Sequence, residues 1–288
     1  MQGGSSVPSL KDKVVIVTGA GSGIGYETAL AFARQGAKLV LADRREERLP
    51  ELAQRVEAAG GGALVAATDV SKREQVERMV QSALGGFGGV DVLVNNAGFA
   101  LGATIEQTTA QDFQELWETN VLGVLHGMQA VLPVMRRQGH GHVISVSSAA
   151  GRIAFPGIGA YAATKSAVAA LTEALGAEES EAGIQASVVF PVGTRTEFFE
   201  AARLIDGMPV GPHGPMQSPQ HVAKRIVACA KRPTAEVLPY LPLRLGMVLH
   251  ALFPALFSFI SRRQYRRLRR RAAQQTPTQH PENEVSHG

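Results

Sequence analysis

Tyr161 and Lys165 stand four residues apart in Tyr161-Ala162-Ala163-Thr164-Lys165, inside a stretch of helical pattern, so their side chains share one helix face. A phenol beside an ammonium is a pair for moving a proton. A free phenol has a pKa of about 10, too high for a base at neutral pH, and an adjacent positive charge is expected to favour the phenolate and bring that value down. Ser147-Ser148 precede the pair at the end of an apolar run, where a hydroxyl can hold and polarise a substrate oxygen. A second chemistry is written in Thr18-Gly19-Ala20-Gly21-Ser22-Gly23-Ile24-Gly25, a glycine-rich turn between the first apolar run and a helix. Glycines let the backbone turn tightly and approach a pyrophosphate, whose charge is met by the helix N-terminus. Asp43 ends the second apolar run, where a carboxylate can accept hydrogen bonds from ribose hydroxyls.

Each feature has a plain structural alternative. Tyr-x-x-x-Lys recurs on many helices, and glycine turns or an Asn95-Asn96-Ala97-Gly98 loop satisfy ordinary turn chemistry. Position argues for function, because each of these segments directly follows a strand-like run or opens the helix after one.

The elements that must position them alternate in type. Val14–Val17, Lys38–Ala42, Ala63–Ala67, Val90–Val94, His142–Val146, Ile184–Phe190 and Glu236–Tyr240 read as strands, predominantly apolar runs suited to a sheet buried on both faces. Ile24–Gln35, Glu46–Ala58, Lys72–Leu84, Ala110–Met135, Ala160–Glu179 and Pro219–Lys231 read as crossover helices. The pattern predicts an α/β protein with a three-layer, doubly wound fold, a parallel seven-stranded sheet and ligands at the carboxyl edge of the strands.

The 288 residues include 45% apolar and 19% charged residues, which fits a globular chain and disfavours a disordered one. Cys229 is the one cysteine, so an internal disulfide framework is excluded and a reducing, cytoplasmic setting is expected. His140-Gly141-His142 reads as a loop entering a strand, and no metal site is expected. Net charge is +4, but residues 1–240 carry 21 Lys+Arg against 23 Asp+Glu, while residues 241–288 carry 8 Arg against 2 Glu. The body of the chain therefore offers no case for nucleic-acid binding.

Taken together, the TGxxxGxG turn, the Asn-Asn-Ala-Gly loop, the serine and the YxxxK pair resemble the short-chain dehydrogenase/reductase family over residues 9–240. The resemblance implies a Rossmann fold and a NAD(P)-dependent oxidoreductase that interconverts a hydroxyl and a carbonyl on a small molecule. It implies a cofactor turn at Gly19, Ser22, Gly23, Ile24 and Gly25, an adenine-side pair at Asp69-Val70 and a ribose-side loop at Asn96-Ala97-Gly98. Asn120 matches the asparagine that supports a proton-relay water. Ser148, thirteen residues before Tyr161, matches the catalytic serine, with Ser147 supporting the turn. Lys165 would hold the nicotinamide ribose and lower the Tyr161 pKa. After the sixth strand Pro191-Val192-Gly193-Thr194-Arg195-Thr196 departs from the family's Pro-Gly-x-Val/Ile-x-Thr, with Pro191, Thr194 and Thr196 as the implied cofactor contacts. The resemblance also implies a homo-oligomer, and it sets Phe99, Leu101, Phe155, Phe198 and Phe199 around a lipophilic substrate, with specificity chiefly in the Phe198–Pro219 loop.

Asp43 makes NAD the expected cofactor, because a carboxylate repels a 2′-phosphate; Arg44 could pair with that phosphate and keeps NADP as the alternative. The rival to an enzyme is a dinucleotide-binding scaffold or redox sensor, against which the full set of Asn120, Ser148, Tyr161 and Lys165 argues.

Residues 1–8 and 274–288 are expected to be disordered, and residues 241–273 form an apolar and basic helical extension that the resemblance does not explain. Leu245–Ile260 is an apolar run of 16 residues containing His250 and Pro254, short of the roughly 20 needed to span a bilayer. Seven arginines follow between Arg262 and Arg271. Three readings stay open for 243–271: an interfacial segment with its arginines at anionic headgroups, a helix packed on the domain or on a second subunit, and, least favoured for its length, a true span.

Overall fold

Val14–Thr18 (β1) is apolar up to its last residue and buried throughout, as a strand covered on both faces must be. The computed structural model describes residues 9–198, 202–205 and 216–275, with the backbone alone for 268–275. In it β1 pairs in parallel with Lys38–Asp43 (β2) and with Val92–Asn95 (β4). Gly62–Ala67 (β3) closes one edge against β2, while Gly141–Val146 (β6), Ile184–Val189 (β7) and Glu236–Val237 (β9) continue the sheet beyond β4. The order β3-β2-β1-β4-β6-β7-β9 places the switch in winding direction between β1 and β4, where a doubly wound sheet opens a crevice.

Helices Gly23–Ala33 (α1), Leu49–Ala58 (α2) and Pro219–Lys231 (α7) cover one face, with Leu30, Phe32 and Ile226 in the same core as Val15 and Val17. Arg73–Phe87 (α3), Gly123–Gln138 (α5) and Gly159–Glu178 (α6) cover the other, with Val76, Val131 and Val168 packed on Ile16 and Leu93. The three layers and seven parallel strands agree with the sequence pattern.

Four details differ from it. The stretch expected as one helix over Ala110–Met135 is Ala110–Trp117 (α4), a π-helical turn over Glu118–Leu122, and α5. Thr109 caps α4, accepting from the Asp112 amide at 3.0 Å and donating to its carboxylate at 2.6 Å. A parallel ribbon of Leu101–Gly102 (β5) and Arg203–Leu204 (β8) ties the loop after β4 to the loop after β7. The last strand stops at Val237 rather than Tyr240, since Pro239 has no N–H to extend a ladder. The extension is two helices, Pro242–Leu252 (α8) and Pro254–Gln275 (α9), the second running past the boundary expected at 273. Residues 1–8 and 276–288, both expected to be disordered, lie outside the described residues, as do Phe199 and part of the Phe198–Pro219 loop.

His142 lies inside β6, as its place in the strand pattern implies, and is buried. The Ser187 hydroxyl donates to the Thr234 carbonyl at 2.6 Å, so its oxygen receives the His142 Nε2 proton at 2.8 Å, and Nδ1 has no partner among the described residues. Burial pushes this imidazole down from 6.5 to about 4. Between those values the unfolded chain binds a proton that the folded chain refuses. Stability is therefore expected to fall as pH drops from about 6.5 toward 4, by on the order of 3 kcal/mol. Melting temperatures across that window would show the loss, and His142→Gln should flatten it; an unaltered acid limb in the variant would assign the loss to other groups.

Candidate active site

At the end of β1 the chain turns through Gly19 (φ +64°) and Gly23 (φ +57°), left-handed conformations that glycine adopts without strain. A Cβ on Gly25 would lie 2.1 Å from the Gly19 carbonyl oxygen, so the third glycine lets α1 pack directly on the turn. The Asn96 side-chain amide donates to the Thr18 and Gly19 carbonyls at 2.9 and 3.2 Å, and the Thr18 hydroxyl accepts from the Asn96 and Ala97 amides at 3.0 and 3.1 Å. The two loops that flank the switch point are thereby fixed to one another. At the start of α1, Ser22 makes no side-chain cap and no acidic residue occupies the first turn, which leaves the helix N-terminus to an anion in the crevice.

Asp43 is buried beside the turn. Its carboxylate accepts from the Gly21 amide at 2.9 Å and from the Arg45 amide at 2.9 Å, and the Arg45 guanidinium reaches it at 3.4 Å and the Ser22 hydroxyl at 3.0 Å. Arg44, the arginine singled out in the sequence, is exposed on the wall; Arg45 is the one folded back over the turn. Glu197 joins the loop after β7 to this side through an ion pair with Arg48 at 2.6 Å. Asp69 and Val70 follow β3 on the same wall, and the Asp69 carboxylate accepts from the Ser71 amide and hydroxyl.

Across the crevice α6 presents Tyr161 and Lys165. Ser148 begins a short 3-10 turn, its hydroxyl oxygen accepting from the Ala150 amide at 3.1 Å, and it lines the cavity together with Tyr161. The Ser147 hydroxyl instead donates to the Lys165 carbonyl at 2.7 Å, anchoring α6 to the end of β6. Lys165 donates to the Val146 carbonyl at 2.9 Å, with its Nζ 5.8 Å from the Tyr161 ring centre. Burial decides both titrations. It pushes the Tyr161 phenol up to about 12, against a smaller opposing effect of the Ser148 hydroxyl, and pushes Lys165 down to about 8. The phenol is thus raised in the free protein rather than lowered as the spacing to Lys165 suggests, and at neutral pH Tyr161 keeps its proton beside a charged Lys165.

Asn120 sits in the π-turn, fully buried behind the wall. Its side chain accepts from the Phe99 amide at 3.0 Å and donates to the Phe99 carbonyl at 3.0 Å and the Thr164 hydroxyl at 3.1 Å. It therefore clamps the loop after β4 to α6 at the residue next to Lys165. A turn of this kind inserts a residue into the helical ladder and is frequent at functional sites.

These groups share one cavity of about 440 Å³. Gly19, Ser22, Gly23 and Ile24 line it at one end, Asn96, Ala97 and Gly98 along its middle, and Ser148, Tyr161 and Lys165 at the other, with Pro191, Thr194 and Thr196 opposite. Thr194 is buried and bridges to Gln217, while Thr196 lies against Gly23, so the departure from the family's glycine at Val192 leaves the loop on the cavity wall. Gly25 and Asn120 support the wall from behind instead of lining it. Phe99, Phe155 and Phe198 border the Tyr161 end, the Phe198 ring 6.0 Å from that of Tyr161. Leu101 does not: it is a core residue of β5. Sequence reading missed Arg45 and Glu197, and it missed Tyr240, Pro242 and Leu243, with which the extension completes the wall.

The profile of the short chain dehydrogenase family matches residues 13–204. The chain is 41% identical over 191 residues to an uncharacterized oxidoreductase of Staphylococcus saprophyticus, covering 66% of this chain and 77% of that one. Among solved structures it is similar to a short chain dehydrogenase/reductase from Burkholderia phymatum in complex with NAD, with TM-score 0.80 and 29% identity over 86% of this chain and 96% of that one. It is also similar to a 3-ketoacyl-(acyl-carrier-protein) reductase from Brucella melitensis complexed with NADH, with TM-score 0.71 and 31% identity over 80% and 97% of the two chains.

Proposed function

The chain belongs to the short-chain dehydrogenase family, and from that premise we propose that it reduces a carbonyl on a lipophilic small molecule to the alcohol, using NADH. The observation that carries this reading is the convergence of Ser148, Tyr161 and Lys165 in the one cavity that also holds the glycine turn and Asp43.

The residues fit the dinucleotide. Gly19, Ser22, Gly23 and Ile24, with the uncapped start of α1, would hold the pyrophosphate. Asp43 would accept the adenosine ribose hydroxyls, with Asp69 and Val70 beside the adenine and Asn96, Ala97 and Gly98 along the ribose. Lys165 would donate to the nicotinamide ribose, and Pro191, Thr194 and Thr196 would border the carboxamide. When bound, the nicotinamide supplies the hydride.

The chain's own part is to hold and protonate an oxygen. Ser148 donates to the substrate carbonyl oxygen and polarises it. Tyr161, protonated at neutral pH, gives that oxygen its phenolic proton as negative charge develops there. The Lys165 ammonium under the ring stabilises the phenolate left behind. Asn120 keeps Thr164, and with it this part of α6, in register with the loop after β4. Phe155, Phe198, Ile153 and Leu243 give the substrate end an apolar lining that excludes water and favours a lipophilic molecule. NADPH is the second reading of the cofactor, favoured by Arg44 on the wall, but Arg45 is already engaged by Asp43.

The proton path can be tested by pH. Lys165 is charged below about 8 and neutral above it. The reductive kcat/KM is therefore expected to be level at lower pH and to fall about tenfold per unit above that value. A profile level to about pH 10 would contradict the role given to the ammonium.

A further inference from the structure

We infer that α8 and α9 form a wedge that docks the protein on an anionic membrane surface, with the substrate mouth of the cleft turned toward the lipid. The wedge has two faces. Leu243, Met247 and Phe257 turn inward onto Ile153, Phe155, Phe190 and Leu238, and the His250 and Phe257 rings meet edge-on at 5.1 Å across the bend. The other face is apolar and uncovered: Leu245, Leu252, Phe253, Leu256 and Phe259 are each more than half exposed. A contiguous apolar surface of that kind marks a contact site.

No helix among the described residues is long and apolar enough to cross a membrane, and α8 and α9 are bent through 108° at Phe253. A bent pair with an apolar outer face can lie in the headgroup region without spanning it. Charge decides between a bilayer and a protein partner. Arg262, Arg263, Arg266 and Arg267 are exposed on α9 directly after the apolar face, and none of them pairs with a carboxylate among the described residues. No acidic residue stands between Glu236 and Glu282. Apolar side chains followed by unneutralised arginines complement acyl chains beneath anionic headgroups. A second copy of this chain would bring the same positive charge to the contact.

The wedge also reaches the site. Tyr240, Pro242 and Leu243, where α8 begins, line the cavity beside Ile153 and Phe155. Docking would open the apolar end of the cleft to the bilayer, so the substrate class is a carbonyl compound dissolved in membrane. This part rests on the proposed function; the docking itself does not.

The test is sedimentation of the full chain with phosphatidylcholine vesicles, with and without 30 mol% phosphatidylglycerol, read by protein in the pellet. The anionic vesicles should bind it at least tenfold more tightly, and raising salt to about 0.5 M should release it. Leu252→Ser/Phe253→Ser/Leu256→Ser/Phe259→Ser and Arg262→Gln/Arg263→Gln/Arg266→Gln/Arg267→Gln should each lose at least tenfold in binding, while retaining wild-type NADH affinity and turnover of a water-soluble ketone. Full-length protein left in the supernatant with anionic vesicles would overturn the inference. So would serine variants that turn a dimer into a monomer yet still sediment with vesicles, since the apolar face would then belong to a second copy. Failure of turnover with intact vesicle binding would count against the proposed reaction and leave the docking standing.

Discussion

Replacing Tyr161 by Phe is expected to lower kcat/KM for carbonyl reduction by about 10³-fold, or about 4 kcal/mol in activation free energy, while NADH affinity stays within about twofold. The substitution removes one oxygen from a ring that is 8% exposed and otherwise keeps its packing against Phe198 and the Ala160 and Ala162 neighbours. It takes away the proton donor but none of the groups on the glycine-turn side. Binding and turnover should therefore separate. Steady-state kinetics beside fluorescence titration of NADH would show this, and near wild-type turnover in Tyr161→Phe would remove the phenol from the mechanism.

The second large effect is expected at Asp43. Its carboxylate is held by two backbone amides in the position from which it would accept ribose hydroxyls, and its charge opposes a phosphate on the same ribose. Asp43→Asn keeps the size but loses the charge, and a hydrogen bond to a charged group is worth about 1.5–3 kcal/mol. The ratio of NADH to NADPH affinity is expected to fall about 10²-fold, part of it from Arg45 freed to meet the phosphate. Parallel titrations with both dinucleotides measure that ratio. An unchanged ratio would mean that Asp43 serves only to brace Gly21 and Arg45.

What was legible in the sequence followed from regular patterns. The seven runs that became the sheet are rich in apolar residues, and the glycine turn, Asp43, Tyr161 and Lys165 stand at the ends or starts of elements, where order along the chain fixes which sheet edge they reach. What was not legible lacked a period or depended on partners far away. A two-residue ribbon such as β5 with β8 has no alternation to read, and the π-turn at Asn120 is a change of one residue in a helical ladder that the amphipathic pattern passes over. Arg45 and Arg44 are indistinguishable by type; only the fold of the 3-10 turn after β2 shows which one returns to Asp43.

The titration of Tyr161 shows the limit most clearly. The four-residue spacing to Lys165 is a local fact, and it suggested a lowered phenol. Burial is a tertiary fact, set by α6 packing on the β6 end and the β5 loop, and it raises the phenol by raising the cost of the phenolate itself. The same holds for the extension, which looked separate from the Rossmann domain because its composition changes at residue 241. Leu243, Met247 and Phe257 belong to the core beside the substrate loops, and only the outer face keeps the character that the composition suggested.

The most direct test of the account is to mix the NADH complex of the full-length protein with a panel of aliphatic and aromatic ketones and aldehydes, following loss of nicotinamide absorbance in a single turnover. The account predicts oxidation of NADH by at least one lipophilic member in the wild-type protein and a rate lowered about 10³-fold in Tyr161→Phe. Tight NADH binding with no oxidation by any member, or oxidation at equal rates in both proteins, would contradict it and favour a cofactor-binding scaffold.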